Sequence, residues 1–326
     1  MRLKKATSLL AVTALLALAA VSAGASLGDR EGKAKYEEKF QKTENLAADG
    51  RVYLANISGE VKVLTWSKNE VFIDALKISK AASVEKAKEN AGQVKIEANR
   101  TNGRLEIRTR YPEGRNVFKD SNVSVNYVLT VPAGAEVEVK NVSGDVRAEN
   151  LGGRAKLETV SGDIAASKMR RGGTFVAVSG DIVLADIAGD FKAKTVSGDI
   201  EVSKAAGSVG AKTVSGDVKL RGLAASKTVE VNVLSGDVLF EGTLNPDGAY
   251  NFESHSGDVT LVLPENAAFD FSCKTFSGDI TSDFKAIVEL QGKIKSDRQD
   301  ISGEVNGGGA DVTCKTFSGE IRLKKK

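Results

Sequence analysis

Histidine, tryptophan and cysteine are nearly missing from this 326-residue chain, which has one His, one Trp and two Cys. Two cysteines supply too few ligands for a structural metal site. The single histidine leaves one position, His255, where triad chemistry could be sought. Proline is scarce at 4 residues and aromatics make up 6% of the chain, whereas glycine reaches 33. With many Val, Ile and Thr, that balance favours β-structure interrupted by frequent tight turns. No phosphate loop or dinucleotide fingerprint follows any strand-like run. There is one long apolar run, at the N-terminus, with neither a second such segment nor a sorting tail after it.

That run has the layout of a secretory signal peptide. Arg2, Lys4 and Lys5 form a basic start, Leu9 to Val21 is apolar apart from Thr13, and Ala23-Gly24-Ala25 supplies small residues for cleavage. The apolar stretch is shorter than the ~20 residues a comfortable membrane span needs, so residues 1–25 read as a signal peptide, with an uncleaved anchor as the alternative. No cysteine follows the cleavage site to carry a lipid. With the signal removed, basic and acidic residues balance at 43 each, and the basic isoelectric point belongs to the removed segment. Nothing global then points to nucleic acid or an anionic membrane as partner. The expected location is exported, either periplasmic or extracellular at the cell surface.

The dominant feature is a repeat. Ser-Gly-Asp begins at Ser143, Ser161, Ser179, Ser197, Ser215, Ser235, Ser256 and Ser277, in steps of 18, 18, 18, 18, 20, 21 and 21 residues, and Ser-Gly-Glu begins at Ser58, Ser302 and Ser318. The position three residues after each Ser is Val or Ile (Val61, Val146, Ile164, Ile182), and the position four before it is apolar (Leu54, Val139, Leu157, Phe175) except before Ser302. Polar residues such as Lys140, Glu158 and Lys194 alternate with these columns. Alternation of period two, repeated in register, means strands with one buried face stacked along an axis. A second turn half a period later, marked by Gly152-Gly153, Gly172-Gly173 and Gly189-Asp190, makes two strands per coil. The fold class is therefore all-β: a thin β-solenoid of ~18–21-residue two-strand coils.

Residues 26–135 are less regular. Val52–Leu54, Val61–Leu64, Val71–Asp74, Val94–Glu97 and Leu105–Arg108 alternate as strands, and Asn102-Gly103 is a hairpin signal. Ala81 to Ala91 is a short helix or a loop, Pro112 to Asp120 a loop, and Asn126 to Pro132 a strand leading into the regular array of 136–326. A domain boundary near 135 and a continuous stack with irregular early coils both fit.

The run of Val-Ser-Gly-Asp-Val/Ile coils, with Val63-Leu64-Thr65-Trp66, the Tyr127-to-Pro132 strand and the ending Thr316-Phe317-Ser318-Gly319-Glu320-Ile321, resembles the bacterial putative-adhesin β-solenoid family of exported or envelope-associated proteins. The resemblance implies a non-enzymatic cell-envelope protein, sometimes linked to envelope stress.

Four features bear on chemistry. Asp145, Asp163, Asp181, Asp199, Asp217, Asp237, Asp258 and Asp279 should form one line. Neighbouring carboxylates ~5 Å apart repel by roughly 1 kcal/mol even in water, so turn hydrogen bonds to backbone N–H groups, or a ladder of cations, must offset that. A retaining glycosidase pair also wants ~5 Å between carboxylates, but every rung meets that spacing and none is singled out. His255 stands in a column otherwise held by Val, Leu and Phe, a structural position. Phe252, Phe271, Phe276 and Phe317 are expected in inward or bend columns, as core. Cys273 and Cys314 share the phrase Cys-Lys-Thr-Phe-Ser-Gly, 41 residues apart. Two stacked coils would hold them too far apart to bridge. If residues 286–309 form an inserted hairpin, as Arg298 in the inward slot before Ser302 favours, the two sit on adjacent rungs where a disulfide is possible.

The expected function is a rigid, non-enzymatic adhesion or structural module that binds an envelope polymer or envelope protein, with no cofactor. The alternatives are a carbohydrate-active β-helix enzyme, placed in the irregular N-terminal region with Trp66, Tyr111 and Arg108 to Arg115, and an accessory or sensor protein of an envelope stress system.

Overall fold

The computed structural model describes residues 22–26, 33–112, 122–224, 226–289 and 299–326. The basic and apolar parts of the signal-like segment, residues 113–120 of the expected loop, Arg115 and Arg298 lie outside the described residues.

Each 18-residue repeat makes one flat coil. A strand such as Ala155–Ser161 runs into the Ser-Gly-Asp corner and continues as Ile164–Met169 in a second sheet. Successive coils pair in parallel and in register: Leu157 lies opposite Phe175 in the front sheet, and Ile164 opposite Ile182 in the back sheet. The result is two fourteen-stranded sheets. Buried residues alternate through most of the strands, with a two-residue outward step before Met169, Ile187 and Ala205 at the opposite corner, and merge into one apolar core running from Leu46 to Leu323. The thickness of that core is set by what stacks inside it: Ala193 and Ala211 in the middle coils, Phe240, Phe252 and Tyr250 towards the C-terminal end.

The corner works only with glycine. The corner glycines, from Gly59 to Gly319, have φ between +119° and +154°. A Cβ on Gly180 would lie 2.0 Å from the carbonyl oxygen of Gly162. Glycine thus supplies the backbone conformation and also lets one coil close on the next. The opposite corner is made differently. The left-handed position there is held by Asn150, Lys168, Asp186 and Lys204, each with φ between 55° and 60°, and by Gly222.

Chain order and stacking order disagree at both ends. The Gly59 coil (Arg51–Ala55 and Val61–Trp66) does not end the stack. It is sandwiched between the coil built from Arg104–Arg110 and Asn122–Pro132 and the Gly144 coil. At the other end the last coil, Ala310–Ser318 and Ile321–Lys325, slides between the Gly257 and Gly278 coils. Segments carved out of the repeat then finish the sheets with antiparallel strands. Gln299–Val305 pairs with Phe269–Ser277 and with Ala286–Glu289. Ser302-Gly303-Glu304, one of the repeat's variants in the sequence, therefore lies within an antiparallel strand and makes no corner.

At the N-terminal end, Ala34–Asn45 and Glu70–Ala81 extend the back sheet, and Ser22–Ser26 pairs with the former. Lys95–Thr101 returns on Arg104–Arg110 through Asn102-Gly103, both with positive φ, as the hairpin signal predicts. Between these strands the Ala/Lys/Glu-rich stretch forms the helix Val84–Gln93, capped by the Ser83 hydroxyl, which accepts the Lys86 N–H at 3.2 Å. Lys77, buried beneath the helix, donates to Glu38 at 2.8 Å.

The corner geometry makes a paired prediction. Gly180→Ala should cost about 3–5 kcal/mol, from the steric clash and the unfavourable φ together. Gly210→Ala, whose Cβ would meet nothing closer than Lys192 Cγ at 3.5 Å, should be neutral within about 0.5 kcal/mol. Urea unfolding of both variants measures the difference, and equal costs would remove the glycine corner as the determinant of stacking.

Candidate binding surfaces

The line of corner carboxylates forms as expected, and the structure supplies what offsets its repulsion. Each carboxylate accepts the backbone N–H of the next corner: Asp163 N–H to Asp145 Oδ1 at 3.0 Å, then Asp181 to Asp163, Asp199 to Asp181, Asp217 to Asp199, Asp237 to Asp217 and Asp258 to Asp237, all between 2.8 and 2.9 Å. The hydrogen bonds run between coils, whereas the turn chemistry read from the sequence was local to each corner. The chain of acceptors starts at Asn126, which takes the Glu60 N–H at 3.0 Å, and passes from Asp258 to the Glu320 N–H at 2.9 Å. At the final corner Gln299 substitutes for a missing coil, accepting the Ile280 N–H and lying 3.4 Å from Asp279. Charge-assisted bonds of this kind are roughly twice as strong as neutral ones, enough to outweigh screened repulsion at the surface. Cations join the line at three places: Arg147 on Asp145, Lys219 between Asp199 and Asp217, and Arg322 on Asp258. The Glu320 N–H, with help from Arg322, holds the Asp258 carboxyl below the usual carboxylate range. Among the described residues, no three metal-ligating side chains converge.

Beneath the corners runs a second ladder. Thr159, Thr195, Thr213, Thr275 and Thr316, all buried, donate their hydroxyls to the glycine carbonyl of the neighbouring coil at 3.0–3.2 Å, as Ser254 does at 2.9 Å. Asn141 and Asn56 serve the same position in the early coils. This column is visible in the sequence two residues before Ser, as a polar residue inside an otherwise apolar inward face, except before Ser179 and Ser235, where Ala177 and Val233 stand.

The residue just before each Ser points outward. Val142, Val160, Val178, Val196, Val214, Leu234, Phe276 and Phe317 are each between 37% and 52% exposed. Together with His255 they form a continuous apolar ridge along one corner of the rod. Phe276 and Phe317 therefore correct the expectation of core packing, while Phe252 and Phe271 are buried as read. The cause is strand alternation: positions four and two before Ser face in, so the position before Ser faces out. His255 belongs to the ridge. Its ring stacks on Phe317 at 5.0 Å, and Phe276 stacks on the other face of Phe317 at 4.7 Å. These rings cover one another and present their edges.

A different surface lies at the far edge of the front sheet. Two open grooves, of about 320 and 510 Å3, share Arg154, Gly173 and Thr174 and so run on from one another. Charges of both signs line them. Arg51 pairs with Glu136 at 3.0 Å and Lys156 with Glu138 at 3.3 Å. Arg104 and Arg108 lie over the Tyr53 ring at 4.7 and 5.2 Å. Asp190 accepts the Ser208 N–H at 2.8 Å, which lowers its carboxyl's pKa.

The N-terminal residues considered for catalysis occupy structural positions. The Tyr111 hydroxyl donates to the Val123 carbonyl, and burial pushes its pKa up to about 12. Burial raises Tyr127 further, and its hydroxyl shares a hydrogen bond with Thr109 at 2.7 Å. Trp66 donates to the Glu70 carbonyl at 2.7 Å and carries Lys68 over its ring. Arg108 pairs with Glu106.

Cys273 and Cys314 face one another on adjacent parallel strands, both buried and both free thiols. They are neighbours because the last coil intercalates beside the Gly278 coil. The neighbouring thiol and burial raise the Cys314 pKa.

In comparison with known proteins, the chain matches the Toastrack DUF4097 family over residues 63–324. No curated protein matches it. Similar solved structures include a "putative adhesin" from Parabacteroides distasonis (9% identity, TM-score 0.42, covering 88% of this chain and 97% of that one). Another is a "putative lipid binding protein" from the same species (13%, TM-score 0.41, 88% and 97%). A third is a "putative adhesin" from Bacteroides fragilis (12%, TM-score 0.38, 87% and 96%).

Two measurements test the carboxylate ladder. If backbone bonds satisfy it, melting temperatures in millimolar calcium and in chelator should coincide, and a calcium-dependent rise would assign the line to cations. Asp258 has a folded pKa below its unfolded value, so its contribution is present above about pH 4 and lost as pH falls through the folded value. The melting-temperature gap between wild type and Asp258→Asn should accordingly be widest near neutrality and close below about pH 4. A gap independent of pH would show that the charge contributes nothing.

Proposed function

The chain belongs to the Toastrack DUF4097 family, and on that premise we propose that it is an exported, non-enzymatic binding or adhesion module of the cell envelope, a rigid rod that holds an envelope polymer or envelope protein along its side. The observation that carries this reading is the continuous groove on the front-sheet edge, shared through Arg154 and lined by Arg51, Arg104, Lys156 and Lys192 with intervening carboxylates. A groove several coils long, open along its length and furnished with guanidinium and ammonium donors, suits an extended polar chain better than a small substrate. Arginine recognises planar anionic groups bidentately, so carboxylated or phosphorylated polymer units fit the donor set. Residues 1–25 act as the signal that delivers the rod across the inner membrane. No helix among the described residues is long and apolar enough to span a membrane.

In an oxidising compartment the facing Cys273 and Cys314 would bridge the intercalated last coil to its neighbour. Adjacent parallel strands hold Cα atoms at ~4.8 Å, within the range disulfides use. Intact mass of the exported protein reads both points at once: loss of residues 1–25, and a deficit of two hydrogens.

The deciding experiment incubates the purified protein with fractionated envelope from its source and identifies what is retained, measuring polymer length before and after. Retention of intact polymer or of one dominant protein, at least tenfold weaker for Arg154→Glu/Lys192→Glu, is the expected result. Shortened polymer would overturn the non-enzymatic reading. Undiminished retention by the double variant would move the site away from the groove.

A further inference from the structure

The apolar ridge has no part in that groove, and its flanks indicate what covers it. Outward positions cross the corner in a fixed order on every coil: the residue three before Ser, the ridge residue, Ser itself, then Asp. In stacking order the first row reads Lys140, Glu158, Val176, Lys194, Lys212, Asn232, Glu253, Lys315 and Lys274, so the ridge runs between a row in which lysine holds five of nine positions and the aspartate row. Within the chain Glu158 pairs with Lys140 and Lys156, Glu253 with Lys315, and Lys274 with Asp300. In the middle coils Lys194 and Lys212 have no carboxylate partner among the described residues, and Asp199 and Asp217, at the same two heights on the opposite flank, share one cation, Lys219. Monomers rarely expose contiguous apolar strips of several hundred Å2, and this one spans nine coils, about 40 Å at ~4.8 Å per coil.

We infer that the ridge is the interface of a parallel homodimer, in which a two-fold axis parallel to the rod sets ridge against ridge. Symmetry selects this arrangement. A two-fold axis along the rod reverses the lateral order of the rows, so Lys140, Lys194, Lys212, Lys315 and Lys274 of each copy meet Asp145, Asp199, Asp217, Glu320 and Asp279 of the other at equal height, against two acidic encounters at Glu158 and Glu253. A two-fold axis across the rod preserves that order and sets lysine on lysine and aspartate on aspartate, which like-charge repulsion disfavours. The copies share one coil pitch and the axis keeps height, so each ridge side chain abuts its own counterpart along the full length, with His255, Phe317 and Phe276 of the two copies meeting at the same end. The interface is isologous, as closed two-fold dimers require. A strip about 40 Å by 15 Å buries roughly 600 Å2 per partner, at the low end for specific complexes, which suits a reversible dimer.

Sedimentation velocity on the purified exported protein from ~1 to ~200 µM should show a reversible monomer–dimer equilibrium in this range. Lys194→Glu/Lys212→Glu and Val178→Asp/Val214→Asp should each weaken it at least tenfold while leaving the circular dichroism melt intact, since all four side chains are exposed. Orientation is read by cysteine. Val142→Cys, near one end of the ridge, should cross-link to itself on mild oxidation. Cross-linking only in a mixture of Val142→Cys with Phe276→Cys would show antiparallel rods and overturn the proposal. A monomer at every concentration would overturn it too, and if that monomer bound lipid vesicles through Val178 and Val214, the ridge would belong to a membrane surface.

Discussion

Everything in this fold rests on how closely one corner glycine sits on the next. The carbonyl of Gly162 lies where a side chain on Gly180 would begin, and the same approach recurs from Gly144 to Gly319. That contact fixes the height of a coil. Once it is fixed, the Asp carboxylate reaches the N–H above it and the buried Thr hydroxyl reaches the glycine carbonyl of its neighbour. Ser-Gly-Asp, with the hydroxyl or amide that most coils carry two positions earlier, therefore sets the pitch of the repeats, and the apolar columns fill the space the pitch allows.

The pitch also organises the surface. Because outward positions repeat at one height per coil, each becomes a row: lysines, apolar ridge, serines, aspartates. Rows are a natural means of recognising something long. The groove at the opposite edge departs from this regularity where Gly173 and Thr174 stand opposite the bulkier Phe191 and Lys192. Chemistry that converges on one point, as catalysis needs, would have to break the rows. Tyr111, Trp66 and Arg108, where such a break was sought, are taken up by backbone and ion-pair contacts.

The repeat was legible because identical columns admit only one stacking pattern within the regular array. The two-sheet coil, the carboxylate line and the strands of the N-terminal region follow from spacing and alternation alone. Axial order at the ends was not legible, for a related reason. Coils that share the same inward columns can follow one another in any order, so nothing in Cys-Lys-Thr-Phe-Ser-Gly says that the 314 copy lies inside the 273 copy. The outward turn of Phe276 and Phe317 was obscured by their size, although counting from Thr275 and Thr316 gives it. Left-handed Lys168 and Lys204 carry no sequence signal, since neighbouring coils hold the conformation against the residue's preference.

The intercalated ends carry a consequence for the molecule's environment. In-register parallel strands at one repeating height are also the geometry of amyloid, in which an open end recruits the next chain without limit. Three of the four sheet ends described finish in antiparallel strands, Ala286–Glu289, Lys95–Thr101 and, on the proposed removal of residues 1–25, Ala34–Asn45, and the fourth in the three-residue Ile280–Ser282. By tucking its first and last coils inward and facing outward with strands of the wrong direction or too little length, the rod offers no seed on which another copy can continue the stack. A protein can thus use the packing of a fibril and remain a particle of fixed length.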